Sequence, residues 1–237
     1  MKQRSLIGLT VGSGLGFLLL IGLGTWQFER LAWKDALIAH RQAGLYASPV
    51  APPADIEEAR ALEFHPVRVS GRFLNDREMP VAAIAKAGEA GFDIVTPFLL
   101  PNGTVLLVDR GFVPAARKDS TTRPAGEIPG ETEVTGLLRL AAGKDSWFVP
   151  DNRPERNEWY TVDPAQMGRA AVPRATVLPY MLDADATPNP GGYPIGGQTV
   201  TELPNNHLQY AITWYALSAA LAGVYILVVR RRLREEP

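Results

Sequence analysis

The side chains best suited to ligation or proton transfer are the three histidines, His40, His65 and His207, and no two of them stand at a metal-ligand spacing such as HxxxH. The chain has no cysteine. Disulfides, CxxC redox motifs, thiolate metal sites and covalent haem attachment through CxxCH are therefore excluded. Its four methionines, Met1, Met79, Met167 and Met181, are scattered, so a thioether copper relay has no support. No protein-only metal site is expected. A serine hydrolase would need a nucleophile elbow such as GxSxG, yet the only glycine-flanked serine, Ser13, sits in a long apolar run. The GSGLG stretch around it has no strand before it and no Lys-Ser or Lys-Thr after it, so it is not a phosphate loop. Glu57-Glu58, Asp183, Asp185 and Glu235-Glu236 read as surface charge.

His207 stands apart because it opens an apolar run. Asn206 is suited to cap a helix there, and the positive end of a helix favours the uncharged imidazole that can ligate iron. Tyr210 at i+3 and Trp214 at i+7 fall on the same side, an aromatic wall below a candidate axial ligand. The same residues suit an interfacial belt of Tyr and Trp, and on composition alone the belt is favoured. After the other apolar run, Trp26, Trp33 and Leu37 recur at helical spacing. Gln27, Arg30, Lys34 and Arg41 share a sector of about 60° beside them. Like charges at Arg30 and Lys34 repel by roughly 0.2–0.5 kcal/mol, so that face favours an anion. Lipid phosphates are the simpler candidate and a specific ligand the other. His40 and His65 read as surface or packing residues.

Two apolar helices must hold these groups, Leu6 to Gln27 and Leu208 to Val229, each long enough for a hydrocarbon core of about 30 Å. The first has the basic start of a signal peptide, but it outruns a usual h-region and continues through Trp26. Lys2 and Arg4 flank one run, and Arg230, Arg231, Arg232 and Arg234 flank the other, which places both termini in the cytoplasm. With no Arg- and Ser-rich presequence ahead of the first span, a bacterial inner membrane is expected, the middle of the chain lying in the periplasm. The expected segments are a tail at 1–5, a span at 6–27, a juxtamembrane helix and linker at 28–62, a β-rich domain at 63–206, a span at 207–229 and a basic tail at 230–237. Gly8, Gly12 and Gly16, four residues apart, offer either a groove for another helix or the ordinary glycine content of a span. Lys plus Arg total 24 against 25 for Asp plus Glu, so nothing points to nucleic acid.

Within the middle region, the prolines of Ser48 to Ala54 predict an extended linker and Asp55 to Leu62 a short helix. Alternation over Val67 to Phe73 predicts a strand. Phe92–Leu100 and Thr104–Asp109, joined by Pro101-Asn102-Gly103, predict a hairpin. Further strands are expected at Glu133 to Leu140, Glu158 to Val162 and Ala175 to Leu182, with a helix from Asp163 to about Ala170. Short strands among frequent Gly and Pro imply a small barrel or sandwich. Thr187 to Gln198 is a return loop.

The stretch Gly24-Thr25-Trp26-Gln27-Phe28-Glu29-Arg30-Leu31-Ala32-Trp33-Lys34 after one span, and Pro204-Asn205-Asn206-His207-Leu208-Gln209-Tyr210 before the other, resemble the surfeit-locus family of cytochrome c oxidase assembly factors. Gly71-Arg72-Phe73, Val108-Asp109-Arg110-Gly111-Phe112-Val113-Pro114 and Pro190-Gly191-Gly192-Tyr193-Pro194 extend the likeness over nearly the whole chain. Asp109 and Phe112 stand where the family pattern has Asn and Trp. The resemblance implies a non-catalytic assembly factor that handles haem a for the catalytic subunit of a haem-copper oxidase, with His207 as the haem ligand. It also makes the haem a synthesis machinery a candidate partner. The adjacent stripes on the first helix suggest that Trp26 and Trp33 contact the macrocycle and Arg30 and Lys34 meet its propionates, with lipid anchoring of all four as the alternative. A membrane scaffold that never binds haem is the alternative.

Overall fold

The computed structural model describes residues 2–85, 87–141, 147, 149–201 and 203–234, without the side chains of residues 2–6 and of His40. The readings of Lys2, Arg4, His40, Glu235 and Glu236 fall outside that description. The chain divides into two units, residues 1–40 with 202–237, and residues 41–201.

Two helices make the first unit, α1 (Lys2–Leu45) and, at the other end of the chain, α4 (His207–Arg234). At 1.5 Å per residue they measure about 66 and 42 Å, more than a hydrocarbon core requires. Each contains an 18-residue window of mean hydropathy 1.9, only 6% of it covered by protein. Lipid is the medium that suits such faces. The helices are continuous beyond the expected spans, with α1 starting at Lys2 and running to Leu45, and α4 passing Val229 to Arg234.

Their seam is built from small residues and paired hydroxyls. A Cβ on Gly16 would lie 3.2 Å from a Leu221 methyl, and one on Gly24 would lie 3.0 Å from the Tyr215 ring. The Thr10 and Tyr225 hydroxyls are 2.9 Å apart, those of Thr25 and Tyr215 3.1 Å. Gly8 and Gly12 have nothing within 4 Å. The expected glycine groove thus meets α4 only at Gly16, because each step of four residues turns about 40° round the helix and leaves a straight seam.

In the second unit six strands are numbered in chain order: β1 (Pro66–Phe73), β2 (Met79–Ile84), β3 (Ala90–Leu99), β4 (Val105–Pro114), β5 (Glu131–Leu140) and β6 (Val177–Ala184). They lie in the order β1-β5-β6-β4-β3-β2, and a further β1–β3 pairing closes five of them into a barrel with β2 attached outside. Closure leaves fewer raw edges than an open sheet would. Among the described strands of this barrel the parallel pair is β4 with β6. Its interior holds Val67, Val69, Phe98, Leu106, Val108, Leu138, Tyr180 and Leu182. A second apolar cluster, Val95, Leu107, Met181, Met79, Val81 and Trp159, packs with Met167 and Ala171 of helix α3 (Pro164–Ala171). Strand alternation divides the two clusters, since Leu106 and Val108 join one while Leu107 joins the other.

Helix α2 (Ile56–Ala61) starts at Asp55, whose carboxylate accepts from the Glu57 and Glu58 N–H groups. Helix α3 starts the same way at Asp163. The linker is tied to the barrel where the Tyr180 hydroxyl donates to the Pro53 carbonyl at 2.6 Å. The expected strand at Glu158 to Val162 is absent. Glu158 and Trp159 make only isolated bridges to Arg153 and Val81. The Asn152 side-chain oxygen takes the N–H groups of Tyr160 and Thr161, drawing them out of any ladder. Strand β2 is the converse case, a strand the sequence does not announce. Pro80 lies in it, tolerated because β2 is at the edge of the sheet.

Candidate functional site

The first candidate lies within the helical unit, where His207 opens α4 beside α1. Its Nδ1 is 2.7 Å from the Gln27 side-chain oxygen. That oxygen can only accept, so Nδ1 carries the proton and the lone pair of the neutral ring resides on Nε2. Two further hydrogen bonds fix the start of the helix. The His207 N–H reaches the Asn205 side-chain oxygen at 3.4 Å, and the Asn205 amide donates to Asp35 of α1 at 2.8 Å. The expected capping group was Asn206. The structure gives the side-chain oxygen from Asn205 instead, while the Asn206 carbonyl accepts from the Tyr210 N–H.

On α4, Trp214 stands about 20° round the helix from His207 and is half-buried, whereas Tyr210, about 60° round, is 55% exposed. Tyr215 rather than Tyr210 packs on α1 at this end, its ring 6.0 Å from that of Phe28. On α1, Lys34 lies about 20° round from Gln27, Arg30 about 60°, Trp26 about 100° and Trp33 about 120°, all turning away from the seam. Lys34 and Arg30 therefore flank the partner of His207. The two tryptophans face elsewhere. The Arg30 guanidinium lies 5.8 Å from the Trp26 ring and 5.0 Å from the Trp33 ring, a cation–π sandwich along its own helix. Among the described residues neither Arg30 nor Lys34 meets a carboxylate.

This donor set fits a haem. One imidazole nitrogen is left for iron by the bond on the other, and Lys34 and Arg30, which meet no carboxylate among the described residues, flank Gln27 on α1. Gln27 had no assigned role in the sequence. Its only signal was membership of the basic sector, and nothing in the spacing showed that the sector meets His207.

The second candidate is in the β unit, a cleft of about 430 Å³ on the outer face of the barrel lined by Asp93, Asp109, Asp183, Arg139, Tyr160 and Thr199, among others. Asp109 and Asp183 are direct partners across the parallel strands β4 and β6, two residues beyond Leu107 and Met181 of the second apolar cluster. The Arg139 guanidinium pairs with Asp183 at 3.1 Å, and the Thr199 hydroxyl donates to the same carboxylate at 2.8 Å. The Gly111 N–H donates to Asp109 at 2.8 Å.

Arg139 acts on Asp109 and Asp183, and Asp93 is left to its carboxylate neighbour. Burial, and then the charge of Asp183, push Asp93 up to about 6. Burial, with Asp93 and Asp183 adding to it, raises Asp109 well above the usual carboxylate range, against the pull of the Gly111 N–H and Arg139. Burial also raises Asp183, although Arg139 and Thr199 oppose it. Asp183 was expected to be surface charge and is not: its side chain is 13% exposed and ion-paired. Only the strand register, which the sequence does not print, brings the three together. Among the described residues no group of three or more His, Cys, Asp or Glu can hold a metal ion.

Elsewhere His65 packs its ring over Gly44, in keeping with a packing role. Glu57 pairs with Arg60 at the surface.

A family model described as the SURF1 family matches residues 15–219. Over 236 residues the chain is 40% identical to surfeit locus protein 1 of Mus musculus, spanning 91% of this chain and 76% of that one. The Homo sapiens protein of the same name is 40% identical over 220 residues, 86% of this chain and 72% of the relative. A SURF1-like protein of Monosiga brevicollis is 39% identical over 239 residues, 93% and 89% of the two chains.

Proposed function

Because this chain belongs to the SURF1 family, we propose that it is a membrane-bound assembly factor for cytochrome c oxidase that binds haem a and assists its insertion into the catalytic subunit. The observation that carries the haem part is the His207 ring, held through Nδ1 by Gln27 so that Nε2 is the nitrogen offered to iron. Lys34 and Arg30, about 20° and 60° round α1 from the Gln27 that meets this ring, are assigned to the haem propionates. Tyr210 and Trp214 flank the macrocycle from α4. Trp26 and Trp33 take the narrower role of holding Arg30 in place. A bound haem would supply redox-active iron, while His207 would ligate it and Lys34 and Arg30 would neutralise its carboxylates at a site from which release is feasible.

The work is carriage, so the protein is proposed to be non-catalytic, with the catalytic oxidase subunit as partner and the haem a synthesis machinery as donor. Arg230, Arg231, Arg232 and Arg234 after the second span support cytoplasmic termini. The β unit would then face the periplasm of a bacterial inner membrane, a compartment argued from the sequence, the relatives named above being eukaryotic.

The test is purification from cells that make haem a, with haem per chain read by absorption. Stoichiometric haem is expected in the parent, and its loss in His207→Ala. Full retention in the variant removes the ligand role, and a haem-free parent leaves the scaffold reading.

A further inference from the structure

We propose that Gln27 is a positioning residue for haem binding: by accepting a hydrogen bond from the Nδ1–H of His207 it selects the ring tautomer and orientation that present Nε2 to iron. This inference rests on the haem-ligand reading above. The geometry is independent of it. A neutral imidazole has one N–H and one lone pair, and an acceptor 2.7 Å from Nδ1 puts the proton there. Without such a partner a histidine side chain favours the Nε2–H form, in which the outward nitrogen is blocked for a metal.

The hydrogen bond crosses from one helix to the other, so its geometry depends on how α1 is set against α4. Three contacts set it. Gly24 lets the Tyr215 ring lie against the α1 backbone, the Thr25 hydroxyl meets that of Tyr215 at 3.1 Å, and Asp35 holds Asn205, which in turn holds the His207 N–H. Gln27 and Asp35, eight residues or about 12 Å apart on α1, thus hold the ring and the backbone of the same residue. A residue held at both its ring and its backbone loses little freedom on ligation, which is how partners beyond the ligand shell raise affinity.

The experiment uses the full chain in detergent or nanodiscs. First, ¹⁵N NMR of histidine-labelled, haem-free protein reads the His207 tautomer. Nδ1–H is expected in the parent and in Gln27→Glu, with a shift toward Nε2–H in Gln27→Ala. Second, haem a titration is expected to show a dissociation constant raised roughly 10- to 100-fold in Gln27→Ala and restored to within a few-fold in Gln27→Glu. Third, the haem bound to Gln27→Glu is expected to have a lower reduction potential than in the parent, because a carboxylate acceptor makes the imidazole a stronger donor.

An Nε2–H tautomer in the parent overturns the proposal, since it would mean that the Gln27 amide donates. Unchanged tautomer and affinity in Gln27→Ala overturn it as well. The two readings separate cleanly. Haem loss in His207→Ala with a neutral Gln27→Ala sinks the positioning role alone, whereas haem retention in His207→Ala sinks the ligand reading and leaves only a tautomer-setting bond.

Discussion

Replacing Asp93 by Asn removes a charge from a cleft that already holds two other carboxylates and only one guanidinium. The Asp93 carboxyl is pushed from an ordinary 3.8 to about 6, chiefly by burial and then by Asp183. At ~1.4 kcal/mol per tenfold change in acidity, this means that the fold disfavours the ionised form by about 3 kcal/mol, and about 2 to 3 once solvent at the cleft mouth is allowed for. The sign follows from proton uptake. Between pH 3.8 and 6 the folded chain binds more protons than the unfolded one, so this contribution is fully present below about pH 4 and is lost as pH rises through 6. Asp93→Asn should therefore match the parent near pH 4 and exceed it by about 2 to 3 kcal/mol at pH 7.5. Urea unfolding of the full chain in mild detergent measures this, with Trp159, 2% exposed in the second apolar cluster, as the reporter for the β unit. The reasoning fails if the variant tracks the parent at every pH or is the less stable at pH 7.5. Either result would mean that the cleft solvates Asp93 better than its lining implies.

Two further perturbations address the packing. Arg123 is buried and pairs with both Glu78 and Glu127, so Arg123→Met leaves two carboxylates without their cation and is expected to cost about 3–5 kcal/mol in the same urea assay. A loss under 1 kcal/mol would show that water reaches the pair. Gly24→Leu forces a side chain against the Tyr215 ring, whose nearest atom is 3.0 Å from even a Cβ. Since the chain has no cysteine, a single disulfide between Gly16→Cys and Leu221→Cys reports the seam. Its yield is expected to fall several-fold when Gly24→Leu is added, and an unchanged yield would place the helix contact elsewhere.

Much of the fold follows from local rules. The two apolar runs, the Asp55 and Asp163 caps, the hairpin across Asn102-Gly103 and the strands beginning near Val67, Glu133 and Val177 all follow from composition, capping and alternation, which act over a few residues. Where sequence reasoning fails, a distant partner decides. Strand β2 exists because β3 offers it a ladder despite Pro80, and Glu158–Val162 is no strand because Asn152 takes its N–H groups.

The same division holds for the site. His207 was visible because a lone histidine at the mouth of an apolar helix is chemically conspicuous, and the basic sector of α1 was visible as a helical pattern. Trp26 to Lys34 and Asn205 to Trp214 were expected to meet at one membrane surface, but which residue of α1 would face His207 was not visible. Which face of α1 turns toward α4 depends on Gly16 and Gly24 allowing close approach, and that contact selects Gln27 rather than Trp26 or Trp33 as the neighbour of His207. Likewise Asp93, Asp109 and Asp183 lie 16 and 74 residues apart along the chain, and only barrel closure and the β4–β6 register make them one cleft. Local sequence sets the elements and the chemistry available to each. The tertiary structure alone decided which of those groups share a space, because helix rotation and strand register are set by contacts between residues far apart in the chain.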